Sequence, residues 1–114
     1  MAEMIAYKIL TGEQMLELEQ GTFAGAPIDI QDGYIHLSTT AQVDETVAKH
    51  FAGQSDLSIA AVDLEALGET VRWEVSRGNQ LFPHIYGPLT LDAVIAYGLI
   101  EYEGDGTIRL PVAG

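Results

Sequence analysis

The chain has 114 residues, 47% hydrophobic and 19% charged, which is the size and make-up of one globular domain and excludes a disordered segment. Its 17 acidic and 5 basic residues give a formal net charge of −12, which argues against nucleic acid or an anionic membrane as partner and leaves a solvated acidic surface or docking of a basic protein. There is no cysteine, hence no disulfide or thiolate chemistry; no segment reads as a signal peptide or as the roughly 20 apolar residues that span a bilayer, so a cytoplasmic setting is expected.

Ile5 to Leu10 reads as a first strand. Thr11-Gly12-Glu13-Gln14 has capping-box spacing, in which the Thr11 hydroxyl and the Gln14 side chain satisfy free amides at a helix start. Met15 and Leu18 then share a helical face, and Gly21 supplies a left-handed stop. Phe23 to Ile30, with Pro27, is expected to be a loop that buries Ile28 and Ile30, followed by a turn at Asp32-Gly33. Tyr34 to Leu37 forms a second strand. Thr39 and Gln42 repeat the capping-box spacing before a helix that runs to about Phe51, buries Val43, Val47 and Phe51, and stops at Gly53. Asp44 and Glu45 sit at its positive end and Lys49 and His50 at its negative end, as the helix dipole favours.

Leu57 to Leu64 is a short bounded apolar run and is expected to be a buried strand. One helical turn follows over Asp63 to Gly68. From Thr70 to Val75 the pattern alternates, with Val71, Trp73 and Val75 on one face and Arg72 and Glu74 on the other. Ser76 to Gln80 is a polar loop. Leu81 to Tyr86 is extended, and Pro83 suggests an edge or a strand start. Thr90 caps a brief helical turn through Val94. Ile95 to Tyr102 and Thr107 to Leu110 then read as a hairpin. Two short helices near the start, followed mainly by strands, make an α+β single domain over residues 1–114, with its core over about 5–110.

Two histidines lie in strand-like contexts. In Tyr34-Ile35-His36-Leu37-Ser38-Thr39, alternation puts Tyr34, His36 and Ser38 on one face; a cleft accounts for such a polar stripe more simply than a core does. In the second context His84 and Tyr86 share a face near Arg77. Histidine suits proton transfer or hydrogen bonding to ribose hydroxyls. Arg77 and Lys8 are scarce cations that could hold an anionic ligand. Glu74 is a candidate carboxylate. No HExxH, Walker or GxSxG motif occurs, and no metal site is expected.

Four stretches taken together resemble the small bacterial domain-of-unknown-function family 952. They are Tyr7-Lys8-Ile9-Leu10, Asp32 to Thr39, Trp73 to Gly78, and Phe82 to Leu89. The likeness runs from about Tyr7 to Val94. That family is similar in fold to the ADP-ribosyltransferase superfamily, so the resemblance implies two small, mainly antiparallel sheets and a pocket for NAD or ADP-ribose. It implies a small-molecule ligand, NAD as a substrate more than as a cofactor, and transferase or glycohydrolase chemistry; a non-catalytic binding module is the alternative. By the resemblance, His36, His84, Tyr86 and Glu74 are candidate catalytic residues. Tyr7, Lys8, Tyr34, Ser38, Thr39 and Arg77 are candidate ligand contacts.

Overall fold

The computed structural model describes residues 4–111, apart from the Arg77 side chain. Its first strand, β1 (Ile5–Thr11), is buried nearly throughout. Successive side chains of a strand face opposite ways. Ala6 and Leu10 therefore enter one apolar cluster, and Tyr7 and Ile9 enter another. The expected capping box closes the strand and opens α1 (Gly12–Gln20). The Gln14 amide donates to the Thr11 hydroxyl at 3.2 Å, and the Thr11 amide donates to the Gln14 side chain at 3.0 Å. Gly21, at φ 78°, ends the helix.

The next segment departs from expectation. Phe23 to Ile30 is not a loop with buried isoleucines, because Pro27 starts a second helix, α2 (Pro27–Asp32). Proline suits the first helical position, where its missing N–H has no partner to lose. Ile28 and Ile30 are 54% and 65% exposed, while Asp29 between them is only 2% exposed. Gly33, at φ 88°, terminates α2. The second strand, β2 (Ile35–His36), is shorter than the expected Tyr34 to Leu37.

Helix α3 (Val43–His50) buries Val43 and Val47. Gln42 provides half of the expected box by accepting the Thr39 amide at 3.1 Å. The helix ends at His50 with Phe51 as its cap, close to the expected end, but Gly53 is not the capping residue. The apolar run forms β3 (Leu57–Asp63), and Leu64 opens the short helix α4 (Leu64–Leu67), which Asp63 caps. Three strands follow: β4 (Val71–Val75), β5 (Leu81–Ile85) and β6 (Val94–Leu99).

The strands make two antiparallel sheets, one in the order β1-β3-β6 and one in the order β2-β5-β4. With the helices they give the α+β architecture read from the sequence. The central strand β3 is covered on both faces, which explains its unbroken apolar run. One face of the first sheet shares a cluster with the second sheet, through Ala6, Leu10, Ala60, Val62, Leu37 and Ile85. The other face carries Ile59 and Ala61 against Val43 and Val47 of α3.

Two strand expectations need correction. Pro83 lies in the central strand of the second sheet, not on an edge. It is tolerated because the pairing of β2 runs only as far as His36↔His84: beyond it Leu37 donates to the Pro83 carbonyl at 3.1 Å, and the reciprocal bond is the one proline cannot make. The chain then leaves this sheet, and Ser38 and Tyr7 exchange backbone hydrogen bonds at 2.7 and 2.9 Å. The C-terminal hairpin shrinks to a turn with one bridge, Tyr102↔Ile108, because β6 pairs with β3 instead. No helix among the described residues is long and apolar enough to cross a membrane.

The cap at Thr11 gives a stability prediction. Thr11→Ala should cost about 1 kcal/mol and Thr11→Ser little, measured by urea unfolding.

Candidate functional site

The register of the second sheet places His36 opposite His84, and His84 opposite Arg72. Cross-strand partners share a face, so these three side chains form one row. Ile35, Ile85 and Val71 occupy the opposite, core-facing side. Glu74 lies two residues along β4 from Arg72, and Tyr86 two residues beyond His84. Strand alternation therefore collects His36, His84, Arg72, Glu74 and Tyr86 on one side of the sheet.

These side chains form a connected cluster. Nδ1 of His84 is 2.7 Å from Oε1 of Glu74, and the Tyr86 hydroxyl donates to the same oxygen at 2.7 Å. The Tyr34 ring stacks on His84 with centroids 4.1 Å apart, and lies 4.7 Å from His36 and 5.2 Å from Tyr86. The Arg72 guanidinium sits 5.1 Å from the centre of the Tyr86 ring, within cation–π range. His84 is 2% exposed, although it stands on the polar face of the sheet. Its Nε2 is buried with no hydrogen-bond partner among the described residues.

A second part of the cluster orients His36. Oδ1 of Asp29 accepts the His36 backbone N–H at 3.1 Å and lies 2.7 Å from its ring Nδ1. The other ring nitrogen is 3.0 Å from Asp32. Oδ2 of Asp29 accepts from Lys8 and from the Ala26 amide, both at 2.8 Å. Lys8 also donates to the His36 carbonyl at 3.1 Å.

The protonation behaviour follows from these contacts. Burial alone would raise the Asp29 carboxyl; the His36 hydrogen bond, then the Lys8 charge and hydrogen bond and the Ala26 amide, outweigh it and bring the pKa down to about 2. Burial pulls the Lys8 ammonium below its ordinary value, against the charge and hydrogen bond of Asp29. Hydrogen bonds from His84 and Tyr86 hold Glu74 below the usual carboxylate range. The same bond to Glu74 raises the Tyr86 phenol. Tyr34 is raised by burial first, then by the negative charges of Asp32 and Glu74.

A cleft of about 270 Å³ adjoins the cluster, with Asp29, Tyr34, Ile85 and Gly87 in its wall. Of the residues singled out from the sequence, the structure gathers His36, His84, Tyr86, Glu74 and Tyr34. It does not bring Tyr7, Lys8, Ser38 or Thr39 to the same surface. Tyr7 packs in the cluster beneath α3. Lys8 is buried against Asp29. The buried Ser38 hydroxyl is 2.7 Å from that of Thr46, because the chain has already crossed to β1. Thr39 is buried, and its amide is bonded to Gln42. The expectation for Arg77 concerns a side chain outside the described residues. Sequence reasoning missed Arg72 as a member of the cluster. A cation in an otherwise apolar strand, Lys8, was the signal that a buried carboxylate had to exist. Among the described residues, no set of three or more histidines and carboxylates is arranged to hold a metal ion.

Residues 9–97 match the family described as Protein of unknown function (DUF952). The chain is similar to protein CC0527 from Caulobacter crescentus in two solved structures. Its crystal structure superposes with a TM-score of 0.82 at 40% identity, over 93% of this chain and 94% of that one. Its solution NMR structure gives 0.75 at 40% identity, over 91% and 90%. No curated protein matches.

Asp29 predicts an acid limit to stability. Its folded pKa lies below the ordinary 3.8, so its contribution is complete above that value and is lost as pH falls toward about 2. The loss is on the order of 2 kcal/mol. A titration of carboxyl carbon shifts should place the Asp29 midpoint near 2; a midpoint at the ordinary value would contradict the Lys8–Asp29–His36 arrangement.

Proposed function

The chain belongs to the DUF952 family, whose description names no activity, and from its own side chains we propose that it binds NAD, ADP-ribose or a related small molecule at the β2-β5-β4 cluster. The supporting observation is the meeting of Tyr34, Tyr86, His84 and Glu74 beside an open cleft. The tyrosine rings offer faces for a sugar or a planar base. Arg72, exposed on the same side, offers a charge for phosphate. At about 270 Å³ the cleft is near the lower end of ligand pockets, roughly 300–1,000 Å³, and suits a nucleoside-sized part of the ligand.

In this reading the fold is of ADP-ribosyltransferase type, and the ionised Glu74 supplies the chemistry. Breaking the nicotinamide–ribose bond develops positive charge on the ribose, which a fixed carboxylate stabilises. Transfer to an acceptor, or hydrolysis, would follow. The net charge of −12 opposes RNA as the ligand. One observation favours binding without turnover: Oε1 of Glu74 already accepts from both His84 and Tyr86.

Backbone amide shifts during titration with NAD, ADP-ribose and nicotinamide test the proposal. The expected shifts centre on Tyr34, His36, His84 and Tyr86, and His36→Ala should weaken binding about tenfold. Shifts confined elsewhere would reject the site. Nicotinamide released from NAD over hours, and lost in Glu74→Gln, would establish turnover. Binding with no release would establish the non-catalytic module.

A further inference from the structure

The atom in this cluster that the fold leaves without a role is Nε2 of His84. The imidazole is 2% exposed, and Nε2 has no hydrogen-bond partner among the described residues. Buried polar atoms are nearly always satisfied, and leaving one unpaired is destabilising. Its partner nitrogen is well satisfied: Nδ1 lies 2.7 Å from an oxygen of Glu74. Glu74 is held ionised and can only accept, so the proton of the neutral ring belongs on Nδ1. Nε2 then carries a lone pair. A carboxylate that fixes the tautomer of a histidine and leaves the other nitrogen as a base is the arrangement of a general-base pair.

Aromatic neighbours cover this base, and the Tyr34 ring is the one stacked on it. The Tyr34 ring lies flat on His84, with centroids 4.1 Å apart and planes 25° apart. Tyr34 belongs to no helix or strand; it stands between the end of α2 and the start of β2, directly after Gly33 at φ 88°. The same ring also forms part of the cleft wall, so Tyr34 is the side chain shared by the cleft and the histidine. The other neighbours are less free to move. His36 is bonded through both ring nitrogens to Asp29 and Asp32, and Tyr86 is bonded to Glu74.

We propose that Nε2 of His84 is the proton acceptor of this site, fixed as such by Glu74 and kept beneath the ring of Tyr34 until a hydroxyl-bearing ring ligand displaces it. The inference rests on the ligand-binding reading above and narrows it. The ligand class is a hydroxylated ring, as in a sugar. Its C–H faces can take the place of His84 against the Tyr34 ring, while one hydroxyl donates to Nε2. In a reaction, the proton of that hydroxyl or of a water passes to Nε2, and the resulting imidazolium is stabilised by Glu74. Tyr34 acts as a cover and not as a catalytic residue.

Two measurements on the intact chain decide this. Ring-nitrogen NMR at neutral pH should find the His84 proton on Nδ1 and a lone pair on Nε2. A proton on Nε2, in either the neutral or the cationic ring, overturns the proposal. Diethyl pyrocarbonate acylates unprotonated imidazole nitrogen. His84 should react slowly in the native chain and about tenfold faster in Tyr34→Ala, with His50 at the end of α3 as the internal reference. Equal rates overturn the cover. If Tyr34→Ala loses its native amide spectrum, Tyr34→Leu serves for the same comparison. Addition of ADP-ribose separates the two readings. If it binds and shifts Tyr34 and Tyr86 while Nε2 is unmoved, the base assignment fails and the binding site stands. If it does not bind, the nucleotide reading fails, and the tautomer and acylation results still decide the base.

Discussion

Four N–H groups converge on the Asp29 carboxylate: Nζ of Lys8, the Ala26 amide, and the backbone and ring of His36. Lys8 belongs to the first sheet, Asp29 to α2, and His36 to the second sheet. One buried anion therefore fixes the mutual position of three elements. Desolvation makes such a pair costly to assemble, and removing either partner would leave an uncompensated buried charge, typically worth about 3–5 kcal/mol. The His36 ring owes its orientation to this carboxylate. Through Tyr34, which touches both imidazoles, the position of His84 depends on it as well.

The second sheet separates two kinds of surface by alternation alone. Ile35, Ile85 and Val71 face the shared core, and His36, His84 and Arg72 face away. His84 is nonetheless almost fully buried, because aromatic side chains cover the polar face. The polar face thus buries one imidazole beneath partly exposed rings and a carboxylate. Hydrogen bonding within the cluster, with His84 and Tyr86 on one carboxylate, depresses the Glu74 carboxyl and raises the Tyr86 phenol.

Much of this could be read locally. The Thr11–Gln14 cap, the Gly21 stop, the charge order of α3 and the alternation of β4 depend on neighbours within a few residues, and each appears in the structure. The grouping of His36 with His84 followed from two strands with polar alternate positions. What could not be read depends on distant partners. Ile28 and Ile30 suggested burial by their apolarity, whereas a charged strand residue 21 positions earlier selected Asp29 to turn inward. Pro27 carried the helix-start signal, which the loop reading passed over. Ser38 follows the alternation of Tyr34 and His36 in sequence, but the chain changes sheets between Leu37 and Ser38, and alternation has no meaning across that crossing.

The proline in the central strand has a consequence for how the molecule can open. Because Pro83 ends the pairing of β2, the chain from Ile35 to Ser38 is hydrogen-bonded first to the second sheet and then, within four residues, to the first. The two sheets are riveted through one short backbone segment. Neither can unzip from this end without disturbing the other, which makes them a single cooperative unit for local unfolding. The amides of Tyr7, Leu37 and Ser38 are then among the last to exchange with solvent. The histidine row is anchored to this shared segment, and Tyr34 stands one residue outside it.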